Sequence, residues 1–158
     1  MGQPPETPPP AEKQWEVIDG SKEATRIPLD VAFSTLFMML AQGRPGSDIR
    51  REWFLEESQI PAAGAEIVFA SADRFFRKQQ DLQKRMTALK NSAPRPWDEA
   101  TRRKMDELMA EASAAAKGEM ELLEETMRRT HYSLLLMYLN HRLMPSMQVG
   151  VEKKTGRP

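Results

Sequence analysis

The sequence predicts an all-α fold in which a long antiparallel helical hairpin carries a small helical head. Two long stretches, 60–92 and 97–144, repeat apolar residues at steps of three and four, the spacing of one helix face. Pro94 and Pro96 separate these stretches, so the chain must turn between them. The chain has 158 residues and balanced charge, with 23 basic and 23 acidic side chains. It contains no cysteine, which suits one domain without disulfides or thiolate metal sites.

Residues 1–13 are predicted to be a disordered tail, because they are rich in proline and poor in groups that a core could bury. No apolar segment typical of a secretory signal follows them. The next segment, 14–18, ends at the turn residues Asp19 and Gly20. We expect it to be a short extended piece that docks Trp15 on the body of a single domain spanning 14–148.

Residues 27–57 are predicted to form two short helices. The first begins near Pro28, because proline lacks only an N–H that has no partner at the first helical position. It ends before Gly43, which is expected to adopt the left-handed conformation. The second follows a cap at Ser47 or Asp48 and continues to the end of the range.

The first arm of the hairpin, 60–92, begins at Pro61 and has a regular apolar seam. Alternating steps of three and four are typical of helices that pack at a shallow angle, as in a coiled coil. The seam residues are Ala65, Val68, Ala72, Phe75, Gln79, Leu82, Met86 and Leu89.

The second arm, 97–144, is predicted to be one continuous helix. Two consecutive steps of four, from Ala112 to Met120, interrupt its seam, and Gly118 lies between them. We expect a kink or a close helix approach at Gly118. The remaining residues, 149–158, are predicted to be a flexible basic tail.

The hairpin turn fixes which residues meet, since residue n should face about residue 190 − n when the turn centres near 93–97. The first arm then ends opposite about position 130 of the second arm. The rest of the second arm, 131–144, is apolar nearly all round, so the short helices must cover it. We expect Leu36 or Phe37 to contact this stretch and not the hairpin tip.

Charge follows the same geometry. Residues 74–104 hold ten bases and three acids, whereas 106–125 hold seven acids and one base. Ion pairs across the arms would fix their orientation and register. The bases left over form a cationic tip.

Few residues offer catalytic or metal-binding chemistry. No phosphate-binding glycine loop occurs, and neither His131 nor His141 stands in a Glu-x-x-His pair. One cluster of carboxylates is predicted to form a solvent-exposed helix face and not an acid–base site: Glu119, Glu121, Glu124 and Glu125. We therefore expect no cofactor, no metal and no enzymatic activity.

The favoured function is protein–protein association, as a scaffold, adaptor or assembly component that binds a second copy or another subunit. A two-helix hairpin shields only one stripe of each helix, and large apolar residues lie outside both stripes. The many methionines on the second arm suit surfaces that accept a partner helix. The expected interface anchors are Phe69, Phe76, Met86 and Leu122.

The alternative is a nucleic-acid-binding accessory protein that uses the hairpin tip. Its basic side chains would contact phosphates, and its exposed tryptophan would stack on bases. In the competing interpretation this tryptophan packs back on the hairpin. The candidate contact residues are Arg95, Trp97, Arg102, Arg103 and Lys104.

A membrane role is the weakest of the three. The most apolar window, 27–41, is shorter than the roughly 20 residues that a bilayer span needs. The apolar stretch 131–144 lacks the lysine-rich flank of a helix that lies on a membrane surface. A cytoplasmic location is expected.

Overall fold

The computed structural model describes residues 14–153, and this part of the chain is mostly helical. The predicted disordered tail, 1–13, and the last residues of the predicted basic tail, 154–158, lie outside the described residues. The elements in chain order are β1 (Trp15–Asp19), α1 (Gly20–Glu23), a 3₁₀ turn (Ala24–Arg26), α2 (Leu29–Leu40), α3 (Ser47–Ser58), α4 (Ala62–Ser92), α5 (Glu99–Thr126), α6 (Arg129–Tyr138), a π-helical turn (Leu139–Leu143), a second 3₁₀ turn (Met144–Ser146) and β2 (Gln148–Glu152).

A small antiparallel sheet corrects the all-α prediction. β1 pairs with β2 in a register that runs from Trp15 opposite Glu152 to Asp19 opposite Gln148. The residues from 149 onward, predicted to be a flexible tail, therefore begin inside a strand. Trp15 does not dock on the body as expected, since its side chain is 67% exposed. The two strands lie at opposite ends of the described chain, so no local sequence pattern predicts their pairing.

The two long helices are antiparallel neighbours, close to the predicted register. Gln79 Nε2 donates a 3.0 Å hydrogen bond to the carbonyl oxygen of Ala112. Lys78 Nζ lies 3.8 Å from Glu111 Oε1 across the same pair of helices. Five of the eight predicted seam residues on α4 are buried: Ala65, Val68, Ala72, Phe75 and Leu82.

The second arm is not one continuous helix, because α5 ends before Met127. The backbone of Met127 is extended, with φ −79° and ψ 147°, and α6 starts two residues later. The Thr126 hydroxyl donates a 2.7 Å hydrogen bond back to the Leu122 carbonyl, a contact that bends helices. Gly118 lies inside α5, and no other segment approaches its Cβ position within 4 Å, so the predicted close helix approach is wrong, whereas the kink stays a prediction.

The shorter elements pack at the open end of the hairpin. α2 contacts α4, α5 and the π-helical turn, so it covers part of the 131–144 stretch, as predicted. The rings of Phe37 and Phe75 lie 5.4 Å apart, which joins α2 to α4. Phe54 of α3 meets Tyr138 of α6 edge-on at 5.0 Å. Among residues 14–153, no helix is long and apolar enough to cross a bilayer.

The turn between α2 and α3 is built on glycine. Gly43 is left-handed with φ 96°, as predicted, although α2 itself ends at Leu40. Gly46, with φ 78°, occupies the cap position of α3, and no side chain caps it. The predicted cap at Ser47 or Asp48 is therefore wrong, because both residues already belong to the helix.

Candidate interaction surface on α2

One side of α2 faces the core and the other side remains partly open. The core side is fully buried and includes Phe33 and Leu36. The opposite side is half-buried, although it is also largely apolar. A helix that is apolar on most sides needs cover on most sides. The half-buried residues of this outer side are Val31, Ser34, Thr35, Met38 and Met39.

Arginine side chains hold the C-terminal end of α2. Arg44 Nη1 donates to the Met38 carbonyl at 3.2 Å, and Arg50 Nε donates to the Met39 carbonyl at 2.6 Å. These carbonyls lie at the negative end of the helix dipole, where they lack a partner in the following turn. The guanidinium groups satisfy them and fix the backbone that presents both methionines.

Open hollows adjoin Met38 and Met39 on both sides of α2. On the α3 side, a hollow of about 440 Å³ is lined by both methionines together with Ser34, Thr35, Arg44 and Arg50. On the α4 side, a hollow of about 430 Å³ is lined by Met38, Phe76, Gln79, Gln80, Gln83 and Lys84. Beside β2, a third hollow of about 540 Å³ is lined by Val31, Thr35, Met39 and residues from Leu143 to Gly150. We call Val31, Thr35, Met38, Met39 and Phe76, with these hollows, the α2 surface.

The rim of the α2 surface is positive. Arg44 and Arg50 line one hollow, Lys84 lines another, and Arg77 lies beside Phe76 in a smaller fourth hollow. One carboxylate, Asp73, lines these hollows. It accepts hydrogen bonds from the Gln42 backbone N–H at 2.7 Å and from Arg51 Nη2 at 3.0 Å, so its charge is already offset within the chain.

α3, which supplies Arg50 to the first hollow, also carries exposed apolar side chains. Ile49 and Trp53 are 53% and 58% exposed. They are four residues apart, so they share one face of α3. Arg50, which lines the first hollow, lies one turn before Trp53.

The four predicted anchors are spread over the molecule. Phe69 is 6% exposed, with Phe54 edge-on at 5.9 Å and the Arg51 guanidinium 4.6 Å above its ring. Its ring is therefore occupied within the chain and is not open to a partner. Phe76 is half-buried and belongs to the α2 surface. Met86 is half-buried farther along α4, and Leu122 is exposed on α5.

The hairpin tip differs from its prediction in the state of Trp97. This residue was expected to be exposed, but it is half-buried, and its Nε1 is buried without a hydrogen-bond partner within the described chain. The Arg95 guanidinium lies 5.1 Å above its ring, so one face of the ring is occupied. Arg95, Arg102, Arg103 and Lys104 are exposed, and Arg103 Nη2 lies 3.5 Å from Glu99 Oε1.

The carboxyls with displaced pKa values have structural roles. The Thr101 hydroxyl and backbone N–H bind Asp98 and hold its pKa below the ordinary value, which is the pattern of a helix cap. Ser21 lowers the pKa of Asp19 through its hydroxyl and its backbone N–H in the same way.

Burial explains the two raised tyrosine pKa values. Desolvation raises the pKa of Tyr132, with a smaller contribution from Glu124. Desolvation also raises the pKa of Tyr138, with a smaller contribution from Glu57.

The other titratable residues singled out from the sequence lie apart. His131 packs on Gly64, whereas His141 is exposed in the π-helical turn. Glu119 pairs with Arg74 at 3.0 Å, and the remaining carboxylates of its cluster, Glu121, Glu124 and Glu125, are exposed. Within residues 14–153, no group of three His, Asp or Glu side chains is placed to hold a metal ion.

Sequence reasoning overlooked Met38, Met39 and Trp53. The signal for the methionines was present, since they fall outside the main apolar stripe of the first short helix. Comparison with family models, curated proteins and solved structures finds no match to this chain.

Proposed function

We propose that this chain is a non-enzymatic helical protein that acts by binding another protein chain through the α2 surface. It would serve as a scaffold, adaptor or assembly component. In this proposal α4 and α5 form a coiled-coil-like arm, and α2, α3 and α6 form the head that carries the binding surface. A cytoplasmic location is part of the proposal and is compatible with the absence of cysteine.

The observation that carries the proposal is the cluster of Met38, Met39 and Phe76 between open hollows. Apolar groups that line an open surface lose contact with water only when another molecule covers them. Methionine is flexible and polarizable, so it adapts to the shape of an incoming side chain. Phe76 adds an aromatic ring, a residue type that is enriched at the centre of interfaces.

Association is favoured over catalysis by the way charge is used in the molecule. The carboxylates with displaced pKa values, Asp19 and Asp98, each bind a hydroxyl and an N–H two or three residues along the chain. Arg44 and Arg50, which line the first hollow, hold helix carbonyls. These groups are engaged in holding the fold, so they are not a poised acid–base pair.

Affinity purification with matched variants tests the proposal. The full-length tagged chain is compared with Met38→Glu and Phe76→Glu, and with Lys117→Glu, which places the same charge on the exposed side of α5. We expect a stoichiometric partner, or a second copy detected by light scattering, that both α2-surface variants lose and the control retains. If all four proteins retain the same partners while their helical circular dichroism is unchanged, the α2 surface is not the binding site.

Nucleic-acid binding through the hairpin tip is the second candidate function. Its support is the group of exposed cations beside the Arg95–Trp97 stack. Double charge reversal at Arg102 and Arg103 should abolish binding to single-stranded nucleic acid if the tip is the site. If the wild-type chain fails to bind at low salt, this candidate is excluded.

A further inference from the structure

We propose that the occupant of the α2 surface is an acidic amphipathic helix of a partner protein. This inference rests on the proposed function and specifies the chemistry of the partner. It follows from the shape of the hollows, the side chains that line them and the sign of their charge.

The hollows beside Met38 favour a helix over an extended strand. The side chains that line these two hollows come from α2, α3, α4 and the α2–α3 turn, and β2 borders only the third hollow, next to Met39. A partner therefore meets apolar side chains there and not a free backbone ladder. α2 has 12 residues and is about 18 Å long, so a partner helix of about three turns matches it.

Charge complementarity selects an acidic partner. Arg44 and Arg50 border the hollow on one side of Met38, and Lys84 borders the hollow on the other side. Among the residues that line the hollows, the one carboxylate is Asp73, which pairs with Arg51 at 3.0 Å. A helix that seats apolar residues over Met38 would bring its flanking residues onto these cations. If these flanking residues are acidic, the cations attract them and association is faster. If they are basic, the cations repel them.

The C-terminal end of α2 does not cancel this positive potential. The negative end of the helix dipole lies at the carbonyls of Met38 and Met39, where anions are disfavoured. Arg44 and Arg50 donate to these two carbonyls, so they offset the dipole while their charges remain at the rim. The hollows on both sides of Met38 are therefore bordered by cations that an acidic helix could contact.

A pair of synthetic helical peptides tests the inference with the full-length chain. One peptide of about 18 residues carries leucines on one face and glutamates elsewhere, and its twin carries lysines in place of the glutamates. Fluorescence anisotropy measures both affinities at low and moderate salt. We expect the glutamate peptide to bind at least about tenfold more tightly than the lysine peptide, with weaker binding as salt rises.

Variants of the chain locate the bound peptide. Lys84→Glu should lower the affinity for the glutamate peptide about fivefold, and Met38→Ser should lower it about tenfold. Lys117→Glu, an exposed position outside all the hollows, should leave its affinity unchanged. Lys84 is exposed on α4, so its variant keeps the test valid even if Met38→Ser lowers stability.

Three outcomes would overturn the inference. Equal binding of both peptides that still depends on Met38 would refute the acidic partner while leaving the proposed association surface standing. Binding of neither peptide would refute the helical partner, and the affinity purification would then decide separately whether the surface binds protein. A dimer in light scattering that Lys84→Glu converts to a monomer would assign the surface to a second copy of this chain.

Discussion

Arg50 Nε donates a 2.6 Å hydrogen bond to the carbonyl oxygen of Met39, so α3 holds the turn of α2 that presents the methionines. The same arginine lines the hollow next to Met38 and Met39. One side chain therefore shapes the surface and supplies part of its positive rim. Stability and binding are coupled at this position, and variants that separate them must be chosen elsewhere.

Arg51 is expected to be a major stabilising residue of the head. Its Nε donates to the Leu40 carbonyl at 2.7 Å, its Nη2 donates to Asp73 at 3.0 Å, and its guanidinium covers the Phe69 ring. Because the side chain is largely buried, Arg51→Ala should lower the free energy of unfolding by about 2–4 kcal/mol in urea denaturation.

The matched control for Arg51 is Arg103→Ala at the hairpin tip. Both side chains of the Arg103–Glu99 ion pair are exposed to solvent, so its loss should change the free energy of unfolding by less than about 0.5 kcal/mol. Equal effects of the two substitutions would contradict the role given to Arg51.

Two glycines are expected to respond oppositely to alanine. A Cβ on Gly20 would overlap the Met144 carbonyl oxygen and lie 2.8 Å from the Met147 carbonyl oxygen. Both are backbone atoms, so neither can move away without shifting the chain. Gly20→Ala should therefore destabilise the fold by about 2 kcal/mol or more. Gly118→Ala should stabilise it by about 0.5–1 kcal/mol, because its Cβ would enter open space inside α5.

Thermal unfolding of the two alanine variants reports both effects. A stable Gly20→Ala protein would show that α1 does not pack on the second 3₁₀ turn as described. A destabilised Gly118→Ala protein would indicate that another segment approaches α5 at this point.

The hairpin was predictable because its signals are local. The seam of α4, the two prolines and the opposite charges of 74–104 and 106–125 all lie within the two arms, and Arg74 pairs with Glu119 at 3.0 Å across them. The β1–β2 pairing was not predictable in this way, since its strands lie at opposite ends of the described chain.

The break at Met127 and the burial of Phe69 depend on tertiary packing. No proline or glycine marks the end of α5, and the bond from Thr126 to Leu122 is also available in a continuous helix. Phe69 lies outside the α4 seam, but α3 and Arg51 cover it, so position along the helix alone suggested a free side chain.

The helix cap at Asp98 is expected to depend on pH. Its pKa lies below the ordinary value of 3.8, because the Thr101 hydroxyl and N–H favour the carboxylate. The stabilisation is therefore present above that value and is lost as the pH falls through the lowered pKa. Carbon-detected NMR titration should give a low pKa for Asp98 that rises toward the ordinary value in Thr101→Ala.

Asp98→Asn separates the charge from the cap. An asparagine side chain still accepts the Thr101 N–H, so the variant should fold, and its stability should vary less with pH below the ordinary carboxyl pKa. An unshifted Asp98 pKa in the wild-type chain would show that the cap is not formed.

Trp53 is expected to affect binding more than stability. Its side chain is 58% exposed, so Trp53→Ala should change the free energy of unfolding by less than about 1 kcal/mol. If the partner covers both the α2 surface and the adjacent face of α3, the same variant should weaken association about tenfold. Titration calorimetry with the purified partner checks this, and an unchanged affinity would confine the interface to α2 and α4.

Site-specific photo-cross-linking in the native cells would show whether the α2 surface binds another protein. A photoreactive amino acid replaces Met38 in one version of the full-length chain and Lys117 in another. We expect one dominant protein adduct from position 38 and none of that species from position 117. The same faint adducts from both positions, at equal expression and illumination, would contradict it.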